Sequence, residues 1–167
     1  MTWGFPRLTK DMRERGEDPG RVGMVADLTN PMWEEMVVEP RYRCLVVLTH
    51  FANPAGDEGA KTRTWFSVKD QPIAAWAGFC RNIPGEGPVY AGMTMEANEA
   101  IPPTNDRMPV LLDPSEYDDR LRGGIRDVIR FQFRPPLPAD RVLVQPRKDL
   151  WRSGSPPPDG ARQIAMI

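Results

Sequence analysis

One histidine, His50, and two cysteines, Cys44 and Cys80, are the only imidazole and thiol groups in this 167-residue chain. A lone histidine gives no His-dependent triad and makes a zinc site hard to build. Neither a metal nor a cofactor is expected. Each cysteine lies inside an apolar run and reads as a small buried hydrophobe, in keeping with a reducing cytoplasm and no disulfide framework. Thr2 would carry an amine beside a hydroxyl if Met1 were removed, a pairing that can act as a nucleophile. With no partner base evident, it reads as an ordinary start residue. His50 reads as a hydrogen-bonded structural residue, with contact to DNA or a stand-in acid role as alternatives.

Cations offer a second kind of chemistry. Arg122, Arg126, Arg130 and Arg134 recur every four residues, which on a helix makes one stripe. Such a stripe grips phosphates, or it is a solvated face paired to Asp118, Asp119 and Asp127. Gly123-Gly124 interrupts it. Arg107 either orders its own turn through carbonyls or lines a groove. Trp3 either stacks on an unpaired base, as aromatics of single-strand binders do, or packs in the core. The balance of 22 basic against 23 acidic residues excludes a strongly basic, histone-like binder but leaves room for a local basic groove.

The elements that must position these residues are short. The 19 prolines and 14 glycines point to many turns. Strands are expected at Trp3–Pro6, Arg43–Leu48, Thr64–Val68, Ile73–Phe79, Val89–Met95 and Val142–Val144, each rich in β-branched or aromatic residues. Asn30 and Pro31 open a short helix over Met32–Val38. Asp113 and Glu116 have the spacing of a capping box for a helix to Leu121, and a second helix spans Ile125–Phe131. Residues 9–23 read as a loop and Pro54–Gly59 as a turn. Residues 1–152 form one α+β domain, a curved, largely antiparallel sheet with short helices over it. Residues 153–167 form a mobile Pro/Gly/Ser-rich tail. No transmembrane span or signal peptide is read, and a cytoplasmic monomer is expected.

The segment Met95-Glu96-Ala97-Asn98, followed by Asn105-Asp106-Arg107-Met108-Pro109-Val110-Leu111-Leu112, resembles the signature of the SOS response-associated peptidase (SRAP) family. There a Thr-x-Ala-Asn turn leads to His-x-Arg-Met-Pro-Val-(Ile/Leu)-Leu. Trp3-Gly4-Phe5-Pro6, Asn30-Pro31-Met32-Trp33, Arg41-Tyr42-Arg43-Cys44-Leu45-Val46, Thr64-Trp65-Phe66, Ala74–Phe79 and Arg134–Ala139 are similar to further family segments in the same order. The resemblance implies an SRAP-like curved sheet or open barrel and association with single-stranded or abasic-site DNA in the DNA damage response. It also implies an N-terminal cysteine nucleophile that traps the abasic aldehyde. Here Thr2 stands directly before the Trp-Gly strand. Asn53 and Asn105 occupy the positions of the family's glutamate and histidine, and the Asn-x-Arg phosphate grip falls on Met24–Asp27. The expectation is a degenerate relative that lacks crosslinking activity, with Trp3, Arg107, Arg126 and Arg130 as DNA contacts. The alternatives are an active enzyme whose natural Met-Cys start lies upstream, and an interaction module that does not use DNA.

Overall fold

The computed structural model of the chain describes residues 1–101 and 105–151, together with the backbone of 164–166. Its architecture is mixed α+β, built on a curled half-barrel of mainly antiparallel strands. The centre of the main sheet is β5 (Arg43–Leu48), β8 (Ala74–Ile83) and β9 (Gly87–Glu96), paired antiparallel in the order β9-β8-β5. From Val89 to Met95 every residue of β9 is buried, and so is every residue of β8 from Ala74 to Phe79. A strand covered on both faces reads as a continuous apolar run with no alternation, as these two do.

Smaller elements attach to that ladder. The strands β1 (Thr2–Trp3) and β4 (Met24–Val25) lie parallel to β9. Between them, β2 (Phe5–Arg7) pairs with β3 (Gly20–Val22). The stretch read as a loop from 9 to 23 therefore holds β3 and also a short helix, α1 (Lys10–Glu14). Thr9 caps α1 by accepting the Met12 N–H at 3.2 Å, a signal masked by the high charge of the stretch. The signature segment, expected as a turn, is extended: β10 (Arg107–Pro109) pairs with β9, and β11 (Leu111–Leu112) pairs with β8.

A second sheet is formed by β6 (Phe51–Ala55), β7 (Thr62–Val68) and β12 (Val142–Leu150), in the order β12-β7-β6. The expected turn at Pro54 begins later, because Pro54 belongs to β6 and pairs with Arg63. As an edge strand, β6 tolerates a residue without an N–H. The expected strand Val142–Val144 continues to Leu150 along β7. Of the tail expected from 153 onward, residues 153–163 and 167 lie outside the described residues, while β13 (Ile164–Met166) pairs antiparallel with β5.

Three further helices complete the fold: α2 (Glu34–Val38), α3 (Tyr117–Arg122) and α4 (Ile125–Phe133). Asn30 accepts the Met32 N–H at 3.0 Å in a 3₁₀ turn before α2, and Glu116 accepts the Asp113 N–H at 2.9 Å before α3. Arg43 is buried and donates to the carbonyls of Val37 at 2.9 Å and Gly123 at 2.6 Å, so one guanidinium ties the end of α2 to the junction between α3 and α4. Val128, Phe131 and Gln132 form the buried face of α4. The Gln132 amide is satisfied in full: it accepts the Leu28 N–H and donates to the carbonyls of Val25 and Thr94, both at 3.0 Å. No helix among the described residues is long and apolar enough to cross a membrane.

Candidate functional site

An aromatic cleft of about 660 Å³ opens between the two sheets. Trp3, Trp65, Trp76 and Trp151 line it, four of the five tryptophans in the chain. The fifth, Trp33, is 2% exposed and packs between Phe5 and Phe79 in the core.

Two glycines make room for the cleft's indoles. A Cβ on Gly92 would stand 2.0 Å from Trp76 Cζ2, and one on Gly23 would stand 2.2 Å from Trp3 Cε2. Those two glycines are themselves joined, Gly92 N–H donating to Gly23 O at 2.9 Å. Trp76 is fixed by its Nε1–H, which donates to the Met93 carbonyl at 2.5 Å. Trp3 sits on β1 with its ring centroid 5.5 Å from Trp76 and 5.0 Å from Tyr90, and it remains 37% exposed. It is thus packed on two rings and still exposed at the cleft, outside the buried core.

The opposite wall comes from the second sheet. Here Arg63 lies over the rings of Trp65 and Trp151, at 5.5 and 5.0 Å, and its Nη2 donates to the Trp151 carbonyl. His50 meets Trp65 edge-on at 6.3 Å, and its Nδ1 is 3.1 Å from Thr49 Oγ1. Arg63, Trp65 and Trp151 were not singled out from the sequence as site residues. Their shared signal is an aromatic–cation pattern split between two strands distant in sequence, which only the pairing of β7 with β12 brings together.

Of the residues expected at the site, Trp3, Asn53, Asn105 and Arg107 all line this cleft. Asn53 is 8% exposed, and its Nδ2 has no hydrogen-bond partner among the described residues. Asn105 uses its side-chain carbonyl to accept the Arg107 N–H at 3.1 Å, closing an Asx turn. The guanidinium of Arg107 donates through Nη2 to the carbonyls of Thr94 at 2.6 Å and Ala26 at 3.1 Å. It therefore clips the stretch after β4 onto β9, while its edge still faces the cleft.

Arg126 and Arg130 lie elsewhere, on the exposed face of α4. The arginine stripe divides between two helices at Gly123-Gly124. Arg122 pairs with Asp118, Arg130 with Asp119 at 2.6 Å, and Arg134 with Glu116. Among the described residues Arg126 has no ion pair. The same face of α4 shows Ile125, Ile129 and Phe133 to solvent, the last 72% exposed.

Chemically, the cleft suits stacking better than proton transfer. No carboxylate is among its lining residues, whose cations are Arg63 and Arg107. Burial pushes the Tyr90 phenol up, with Cys44 adding to the effect, so Tyr90 stays neutral near pH 7. Asparagine amides at 53 and 105 neither take nor release a proton in that range. No group of three or more histidine, cysteine, aspartate or glutamate residues able to hold a metal ion occurs among the described residues.

Comparison with solved structures finds the same fold at low identity. A protein from Bordetella bronchiseptica is similar with a TM-score of 0.66 and 23% identity, over 87% of this chain and 75% of that one. A Bacteroides thetaiotaomicron protein matches with a TM-score of 0.63 and 21% identity, over 76% of this chain and 58% of that one. A phage-related protein of Bordetella bronchiseptica gives 0.53 and 20%, over 88% and 70%. No curated protein sequence matches the chain. The model of the family described as SOS response associated peptidase (SRAP) matches residues 1–137, most of the elements that build the cleft, and the chain belongs to that family.

Proposed function

We propose that this SRAP member associates with single-stranded DNA, including strands that carry abasic sites, through the aromatic cleft, and does so without forming a covalent crosslink. The observation that carries the reading is a cleft with four indoles and two arginines and no carboxylate among its lining residues. Unpaired bases present π faces for stacking, and guanidinium groups suit the phosphates between them. Trp3, Arg63 and Arg107 are the first contacts in this reading; Arg126 and Arg130 supply only outer phosphate contacts along α4. The absence of crosslinking rests on Asn53 and Asn105, which stand where the resemblance puts an acid and a base.

Titration of a fluorescent single strand at several salt concentrations tests the proposal. Each phosphate neutralised on a single strand contributes about −0.7 to the slope of log K against log salt, so contact through two or three arginines gives a slope near −2. Arg63→Ala should weaken binding more than Arg126→Ala combined with Arg130→Ala. No binding at low salt would overturn the proposal. It would favour the interaction-module reading, for which the exposed Ile125, Ile129 and Phe133 stripe on α4 is the supporting observation.

A further inference from the structure

We propose that the cleft continues past the Trp151 indole into a second hollow, and that this hollow seats the next nucleotide of the same single strand. The inference rests on the single-strand reading above and extends it from a pocket to a track.

Trp151 lines both spaces. The second hollow holds about 450 Å³ and is bounded by Glu58, Gly59, Lys61, Leu150 and Trp151. The indole between them is held from several directions. The Trp151 N–H donates to the Lys61 carbonyl at 2.8 Å, the Trp151 carbonyl accepts from Arg63, and the Arg63 guanidinium lies over the ring. Trp151 is thus a fixed residue shared by both spaces, and stacking of a base on an indole is worth about 1–3 kcal/mol.

The chemistry of the hollow matches one nucleotide. Leu150, 54% exposed, gives an apolar floor beside the indole. Lys61 is exposed, has no ion pair among the described residues, and supplies one cation for one phosphate. Arg147 and Lys148, both exposed, precede Leu150 on β12, with Asp149 between Lys148 and Leu150, so the end of the strand carries a net single positive charge. Glu58 is the one opposing charge among the lining residues. Leu150 and Trp151 lie beyond residues 1–137, whereas Glu58, Gly59 and Lys61 fall within the stretch that the family model matches.

The test compares labelled oligothymidines of about two and about four nucleotides, the first confined to the cleft and the second long enough to reach the hollow as well. The wild type should bind the longer strand more tightly and with a salt slope steeper by about 0.7, the increment of one added phosphate. Lys61→Glu should weaken the longer strand about tenfold while leaving the shorter one unchanged, and Glu58→Gln should strengthen the longer strand alone. Both positions are exposed, so unchanged thermal melting should accompany these effects. Equal binding of the two lengths, or equal loss on both in Lys61→Glu, overturns the track and leaves the cleft reading standing. Failure of the wild type to bind either strand overturns both. Inorganic polyphosphate competing as well as the longer strand would show a cationic surface without a base seat, and would also overturn the track.

Discussion

Gly92→Ala is the sharpest perturbation of the cleft that leaves every lining side chain in place. A methyl group at position 92 would stand 2.0 Å from Trp76 Cζ2, whereas ordinary contact begins at 3.4 Å, so the indole must retreat by about 1.4 Å. It has little freedom to do so. Trp76 is 5% exposed, its Nε1–H is bonded to the Met93 carbonyl, and Trp3 packs on it. Overpacking of this kind costs about 1–3 kcal/mol, and a buried N–H left without its acceptor costs about 1–3 kcal/mol more. We therefore expect a destabilisation of about 2–6 kcal/mol. For a chain of this size, at about 2–4 °C per kcal/mol, that is a fall in Tm of at least about 4 °C and up to roughly 20 °C. Thermal melting by near-UV circular dichroism measures it directly. Trp76→Phe removes the ring atoms that collide, so the double variant Gly92→Ala, Trp76→Phe should be more stable than the sum of the two single changes predicts, by about 1 kcal/mol or more. A single variant that melts within a degree or two of the wild type, or a strictly additive double variant, would refute the clash as the reason for glycine here.

Incubation with single-stranded DNA carrying an abasic site should yield no denaturation-resistant adduct on a gel; a band that disappears when Thr2 is blocked would contradict this. Arg43→Ala should cost about 3 kcal/mol or more in chemical denaturation, because it leaves a void and at least two buried carbonyls without their donor; a loss below about 1 kcal/mol would show that the clip between α2 and the α3–α4 junction is dispensable. Cys80 should alkylate before Cys44. Interaction with Cys44 and the nearby Arg120 guanidinium lower the Cys80 thiol below the ordinary thiol range, while interaction with Cys80 and burial push Cys44 well above it. Iodoacetamide labelling followed by mass spectrometry should show Cys80 reacting faster and reaching its plateau rate at a lower pH than an ordinary thiol, and equal labelling of the two thiols would contradict the arrangement.

The central strands were legible because their signal is internal. Arg43–Leu48, Thr64–Val68, Ala74–Phe79 and Val89–Met95 carry enough apolar, β-branched or aromatic residues to announce themselves. The caps at Asn30 and Asp113 were legible for the same reason, since three or four adjacent residues hold the whole motif. By contrast, β1, β4, β10 and β11 are two or three residues long and owe their extension to β8 or β9. Apart from Trp3, which the expected Trp3–Pro6 strand included, nothing local marks them. At the cleft, Trp3, Asn53, Asn105 and Arg107 came from the resemblance, and Arg63, Trp65 and Trp151 did not, because no period along one strand reveals a ladder made across two. The arginine stripe shows the converse limit. Four-residue spacing located the exposed face of α4 and the end of α3, and Asp118 and Asp119 were in view as partners, but spacing neither decided between pairing and phosphate contact nor pointed to Glu116 as the partner of Arg134.

The pairing pattern also dictates an order of assembly. Within the ladder β5-β8-β9, β8 and β9 form a hairpin that closes early, and β5 reaches β8 across the two intervening strands β6 and β7. The cleft does not close early, since β1 meets β9 and β12 meets β7 only across long stretches of sequence. Closing such loops is entropically expensive and slow, so contacts of this kind form late. On the ribosome, a chain released through Leu112 already contains the whole central ladder, yet the wall that carries Trp151 is still to be made. Pulsed hydrogen exchange should therefore find the amides of β8 and β9 protected first and those of β12 last. The aromatic surface would stay unassembled until nearly the whole chain has emerged.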